Sequence, residues 1–221
     1  MSWEWLAASL AIKKYDCDRI AQRIAQEKLT GALDEDDDDD DYDNKFARVL
    51  IERLTQLLPK LFPRTDDHLE DFALRHDDVH EQNILVDAPG QLTALVDWEY
   101  VSYVPFWKAC QIPLLLAGQD RLEEPHLEGY LRNEDGSSDE LYFEHLKAFQ
   151  LTKLRENFLK KMAFVEPSWM DVYNASEAKA DFGWAVESSD DKFCLGKIRR
   201  WLDSVNAGIS QPSMRYSIAN S

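Results

Sequence analysis

The chain holds 221 residues with a formal net charge of −17, 44% hydrophobic residues and three cysteines. Such a length and apolar share suffice to bury a sizeable core, while the acidity argues against nucleic acid, whose binding relies on basic contacts to phosphate. The longest wholly apolar run, Ile112 to Ala117, is six residues against the ~20 that span a bilayer, which excludes a membrane helix.

The opening MSWEWLAASLAIKK carries no basic stretch ahead of its apolar residues, as a secretory signal does. Cys17, Cys110 and Cys194 lie far apart with no paired spacing, which argues against a disulfide framework or thiolate metal site and leads to a cytoplasmic expectation. Over residues 3–29, Trp5, Leu6, Leu10, Ile12, Ile20 and Ile24 recur at spacings that predict one or two helices. Residues 34 to 41 with Asp43 then contribute nine acids, leaving −8 for the rest of the chain. A block of like charges repels itself, so a mobile loop is expected over 34–43. The acidic surface would also attract a cationic small molecule.

From Asn44, the positions Phe46, Val49, Leu50, Leu54, Leu57, Leu58 and Leu61 predict an amphipathic helix that Pro59 ends or kinks. Phe72 to Leu74 reads as a short strand. Ile84 to Val86 and Leu92 to Val96 are β-branched and aliphatic runs joined by the turn Ala88-Pro89-Gly90-Gln91, which predicts a hairpin. Phe106 to Leu116 follows as a buried helix made irregular by Pro113, and 119–136 as a loop. Ser137 with Glu140 forms a capping-box pattern ahead of a helix reaching about Phe164. Another helix is expected within Trp169 to Trp184, and a last one from Asp191 to Ala207, stopped by Gly208, with a fraying tail after 211. Trp5, Trp107, Trp169, Trp184 and Trp201 are expected as core anchors, since large aromatics dominate burial.

The stretch HDDVHEQNILVDAPGQLTALVDWE, His76 to Glu99, carries the chemistry. Phosphoryl transfer needs a carboxylate that orients the attacking hydroxyl and oxygen ligands that hold magnesium on the phosphates. The order His76, Asp78, then Asn83 five residues later has the spacing of a kinase catalytic loop, with the Asp as base and the Asn as metal ligand. The hairpin returns Asp97 toward Asn83, where it is the second candidate ligand. Trp98 is expected to pack beneath it.

At these residues the sequence resembles the aminoglycoside phosphotransferase and choline kinase family, which writes the stretch roughly as HGDLHPGNILVD followed by a strand ending in IDWE. The resemblance implies that Asp78 is the base and His76 the loop's structural histidine, together the catalytic pair. It implies that Asn83 and Asp97 bind the cofactor and that Asn83, Asp97 and Glu99 hold Mg2+, with ATP as donor and a small-molecule hydroxyl as acceptor. The fold it implies is α+β, mainly α: a single domain over 1–221, the helical C-terminal lobe of a protein kinase-like fold with a small hairpin at the site. Asp77 replaces the family's Gly, and Glu81-Gln82 its Pro-Gly.

Ahead of residue 76 there is one glycine, Gly31, and no run of alternating strands. The nucleotide-holding N-terminal β lobe is therefore expected to be absent and supplied by a separate chain or lost, which makes transfer incomplete here. The alternative is a noncatalytic, pseudokinase-like helical binding module. A remoter reading takes His76 and His80 as zinc ligands of a hydrolase, a chemistry that needs both on one helical face.

Overall fold

The computed structural model describes residues 2–30, 36–64, 70–131, 139–209 and 213–215. In chain order the elements are α1 Ser2–Thr30, α2 Asp36–Leu61, β1 Phe72–His76, β2 Ile84–Val86, β3 Leu92–Leu95, β4 Val101–Pro105, α3 Phe106–Ala109, α4 Glu140–Val165, α5 Pro167–Ala175, α6 Glu177–Glu187 and α7 Lys192–Ala207. Mainly helical structure with small antiparallel sheets is the α+β class expected. No helix of the described residues is long and apolar enough to cross a membrane.

The chain, read from its sequence as one domain, divides into two compact units, the first made of Met1–Asp71 and Glu177–Met214. In that unit α2 packs against α1, α6 and α7. Leu50, Ile51, Leu54 and Leu58, spaced three and four apart, bury one stripe of α2 against Leu6 and Leu10 of α1, Phe182 of α6 and Ile198 and Leu202 of α7. Burying each such side chain contributes roughly 1.5–3 kcal/mol. Phe62, just beyond α2, sets its ring 5.6 Å from Phe182. Pro59 stands inside the helix, which runs only two residues further, to Leu61: its missing N–H withdraws the helical donor due to the carbonyl four residues back, and the helix stops within the same turn.

The acidic run departs from its expectation. Asp36 to Asp43 lie in the first turns of α2 rather than in a loop, whereas residues 34 and 35 are outside the described residues. Negative charge near a helix N-terminus is favoured by the macrodipole, and Asp41 gains more: its carboxylate accepts from Lys28 at 2.7 Å and Lys45 at 2.9 Å. Those two ammonium groups hold its carboxyl below the ordinary aspartate value. A lowered folded-state pKa gives stability that is present above the ordinary carboxylate range and lost as pH falls through the lowered value. Asp41→Asn is therefore expected to lower the melting temperature at pH 7, with the difference from wild type closing in strong acid. Thermal melts of both proteins across that range check this; a pH-independent gap would remove the ion pairs as its cause.

The second unit comprises Phe72–Ser176 and Arg215–Ser221. Its two antiparallel sheets pair β1 with β4, Phe72 opposite Pro105 and His76 opposite Val101, and β2 with β3, Ile84 opposite Leu95. The second pair is the expected hairpin. Strand β4 was not expected, because Trp98-Glu-Tyr-Val-Ser gives neither alternation nor a turn signal that would restart a strand. The expected helix over Phe106 to Leu116 shrinks to α3 plus a 3₁₀ turn at Leu114–Leu116, as Pro113 denies the donor that would continue it.

Helix α4 is capped by Asp139, whose carboxylate accepts from the Leu141 backbone amide at 3.1 Å; Ser137 of the expected capping box lies outside the described residues. Trp169 to Trp184 forms two helices, α5 and α6, broken at Ser176. Helix α7 matches its expectation, capped by Asp191 and stopped by Gly208 at φ 68°. Of the tail after 211, only 213–215 is described, and there Ser213 and Met214 are buried: the Ser213 hydroxyl donates to buried Asp181 at 2.6 Å. Trp107 and Trp201 are buried as expected, but Trp5 is 45% exposed.

Candidate functional site

Strand β1 ends at His76 and the chain turns through Asp77 to His80 before a 3₁₀ turn, Glu81–Asn83, leads into β2. The His80 ring caps that turn by accepting from the Gln82 amide at 3.3 Å. Loops held between strands in this way present polar groups from a fixed frame.

His76 fixes the loop from both ring nitrogens. Its Nδ1 accepts from the Asp78 backbone amide at 3.2 Å, and its Nε2 donates to the Val96 carbonyl at 3.0 Å. One acceptor and one donor define the neutral Nε2–H tautomer. The Trp98 ring meets His76 edge-on at 4.8 Å. Trp98 itself is 49% exposed and donates from Nε1 to the Leu95 carbonyl, so it braces His76 at the surface and is not packed beneath Asp97 as expected.

Asn83 is 7% exposed. Its Nδ2 donates to the Asp78 backbone carbonyl at 2.9 Å and reaches the Asp78 Oδ2 at 3.3 Å. The same residue's carbonyl accepts from the Val96 amide at 3.0 Å. The hairpin thus returns the residue before Asp97 to Asn83, and one hydrogen-bonded chain runs Asp78, Asn83, Val96, His76. Asp78 has a half-exposed carboxylate, with His80 Nε2 at 3.5 Å.

Asp97 follows at φ 64°, the left-handed region. Aspartate tolerates that conformation better than most residues, and the turn it makes leads the chain off the end of β3. The carboxylates of Asp97 and Glu99 are exposed and accept no hydrogen bond from any described residue, and Asn83 uses only its amide nitrogen. Carboxylate and amide oxygens left open in this way are the hard donors that suit Mg2+. Asp78, Asp97 and Glu99 do not gather into a cage: among the described residues no three His, Cys, Asp or Glu side chains are placed to hold an ion by themselves. The zinc reading loses its geometric basis, since His76 ends a strand, His80 precedes a 3₁₀ turn, and no helical face carries both.

Three contacts of the loop stand outside the expectations from the sequence. Asp77, standing at the family's glycine position, accepts from the Ser102 hydroxyl of β4 and pairs through Oδ1 with Arg75 Nε at 3.2 Å. Arg75 Nη1 also donates to the Lys108 carbonyl of α3 at 3.1 Å. These contacts tie the loop to β4 and α3, replacing the backbone freedom of glycine with a side-chain anchor. Arg75, His76 and Asp77 line a cleft of about 140 Å³ with Val79, Gln111 and Ile112. Arg75 and Asp77, two apart in sequence, fall on one face of the strand and its extension, which was the available signal. Ser102 had none, because β4 itself was unread.

Residues 11–108 match the family model of the phosphotransferase enzyme family, a span that ends just past the loop and hairpin. A 56-residue stretch is 41% identical to clavilactone A biosynthesis cluster protein Y of Ampulloclitocybe clavipes, covering 25% of this chain. The chain spans 14% of the length of that curated relative. No solved structure matches.

Proposed function

We propose that this aminoglycoside phosphotransferase-like chain carries the acceptor-activating and metal-holding half of an ATP- and Mg2+-dependent small-molecule phosphotransferase. The observation that carries the reading is the bond from Asn83 to Asp78 within a loop that His76 clamps to the hairpin bearing Asp97. Asp78 is the group with a half-exposed carboxylate and a fixed backbone, suited to orient an acceptor hydroxyl and take its proton. As the hydroxyl oxygen bonds to the γ-phosphorus, the bond to the ADP oxygen breaks and that proton passes to Asp78. Asn83 Oδ1 and the Asp97 carboxylate would hold magnesium, with Glu99 beside them; when bound, the ion neutralises charge on the transferring phosphoryl group. His76, bonded at both ring nitrogens, keeps the loop in register.

The described residues ahead of β1 are helical and supply no glycine-rich strand pair. A nucleotide-covering lobe would come from another chain or from sequence beyond these 221 residues. A second reading, a noncatalytic binding module built on the same loop, is favoured by the acids of the site not gathering in threes around one point among the described residues.

Metal binding separates the two and needs no turnover. Mn2+, which takes the same oxygen donors, is titrated into the chain and followed by electron paramagnetic resonance. The phosphotransferase reading expects Asp97→Asn to weaken Mn2+ at least tenfold, since even the loss of an outer-shell partner typically costs about 10–100-fold. Binding that ignores the substitution would sink the metal assignment and leave the noncatalytic module.

A further inference from the structure

The cleft of about 140 Å³ beside the loop has an apolar wall built by Val79, Ala109, Ile112, Pro113 and Leu114. Its volume is close to the ~150 Å³ in which an apolar cavity holds a benzene ring. The polar groups around it are already engaged with one another. Asp77 accepts from Ser102 and pairs with Arg75, and Arg75 also donates to the Lys108 carbonyl. These groups do not ask for an ion. Leu114, 67% exposed at the rim, is apolar surface that gains from being covered. Size and polarity together fit one uncharged ring.

The second observation says whose ring it is. Gln111, on the wall of the cleft, is fixed by donating through Nε2 to the Trp107 carbonyl at 2.6 Å and to the buried Ser176 hydroxyl at 3.0 Å. Its Oε1 accepts from Arg215 Nη1 at 2.7 Å. Arg215 is therefore seated on a fixed residue of the cleft, and it opens the last stretch of the second unit. Residues 216–221, Tyr-Ser-Ile-Ala-Asn-Ser, follow directly and lie outside the described residues. Tyr216 supplies the first aromatic ring past the anchor, its Cα only about 3.8 Å beyond that of Arg215. Met214 and Arg215 stand in a turn, where side chains do not alternate between two faces as they do along a strand. A ring tethered so close is present at a high effective concentration, so even a weak contact with the wall is populated.

We propose that the Tyr216 ring seats in this cleft against Val79, Ile112 and Leu114, docking the C-terminal segment on the back of the loop. Asp77 and Val79 line the cleft, whereas Asp78 between them directs its carboxylate to Asn83 and His80. The ring thus braces the residues on either side of Asp78 and leaves its carboxylate open. The docking depends on the cleft and the anchor, and holds whether or not the loop transfers phosphate.

The test uses the full chain with isotopically labelled methyl groups and nuclear magnetic resonance. Cross-peaks are expected from the Tyr216 ring protons to methyls of Val79, Ile112 and Leu114. Tyr216→Ser should shift those methyl resonances by removing the ring's local field, with the melting temperature close to wild type, whereas Tyr216→Phe should keep both the cross-peaks and the shifts. Arg215→Ala should weaken the cross-peaks by loosening the anchor. The proposal is overturned if the ring reaches none of the three methyls, if Tyr216→Ser leaves their resonances in place, or if Tyr216→Phe behaves like the serine variant. Cross-peaks found only between differently labelled copies would also overturn it, by making a second copy of the chain the occupant.

Discussion

Asp78→Asn is expected to lower magnesium-dependent phosphoryl transfer by about 10²–10⁴-fold, the usual contribution of a positioned general base. The isosteric amide can still accept from Asn83 Nδ2, which now reaches both the Asp78 carbonyl and its Oδ2, so the loop keeps its shape. What the amide cannot do is take a proton. Nucleotide affinity should therefore stay within a few-fold of wild type, since the groups proposed to face the phosphates are Asn83 and Asp97. The measurement is single-turnover transfer from ATP to a panel of small hydroxyl compounds, amines among them, with a nucleotide-holding lobe present. An undiminished rate would remove Asp78 from the chemistry, whereas parallel loss of rate and nucleotide binding would show that the substitution had moved the loop.

The second large effect concerns stability. Arg155→Ala is expected to cost about 2–5 kcal/mol of unfolding free energy, the order reached when two backbone carbonyls lose their donor at ~1–3 kcal/mol each. Arg155 is 6% exposed and donates to the carbonyls of Leu116 at 2.6 Å and Gln119 at 3.0 Å, to Asp120 Oδ1 at 2.8 Å and to Thr152 at 3.1 Å. The pair with Asp120 is the minor part, because that carboxylate is 73% exposed and can return to water. The backbone carbonyls cannot move away so freely: they belong to a segment without strand or α-helix partners, and Arg155 is what satisfies them. Arg155→Lys should recover less than half of the loss, because one ammonium cannot reproduce a planar fork with five donors. Urea denaturation of the three proteins decides it; a loss below about 1 kcal/mol would mean that water replaces the guanidinium.

What could be read in the sequence follows from how local each signal is. The stripe of leucines in α2, the Pro-Gly turn between β2 and β3 and Gly208 after α7 are decided within a few residues, and all three stand where expected. The bonds that join His76, Asp78 and Asn83 lie within one short contiguous loop, so their proximity was legible in the sequence. Partnerships across distance were not legible. Nothing near Asp77 announces Ser102, and nothing in the 116–121 segment announces that its carbonyls belong to an arginine some 35 residues later. The acidic run was misjudged on composition: self-repulsion argues for a loop, but Lys28 and Lys45 on Asp41 and the favourable end of a helix offset it. The length of α3 was overread because an apolar run was given weight over Pro113.

The left-handed backbone at Asp97 has a consequence for how such a chain would respond to selection. A non-glycine residue held at φ 64° stores conformational cost that glycine would not, of order 1 kcal/mol. A library sorted for thermal resistance alone should drift toward glycine or asparagine at position 97, and would discard the carboxylate proposed to face the metal. Retention of aspartate there across such a sort would mean that the acid is kept for its shape. Its disappearance would mark the position as one where the fold tolerates an awkward residue for the sake of what that residue does.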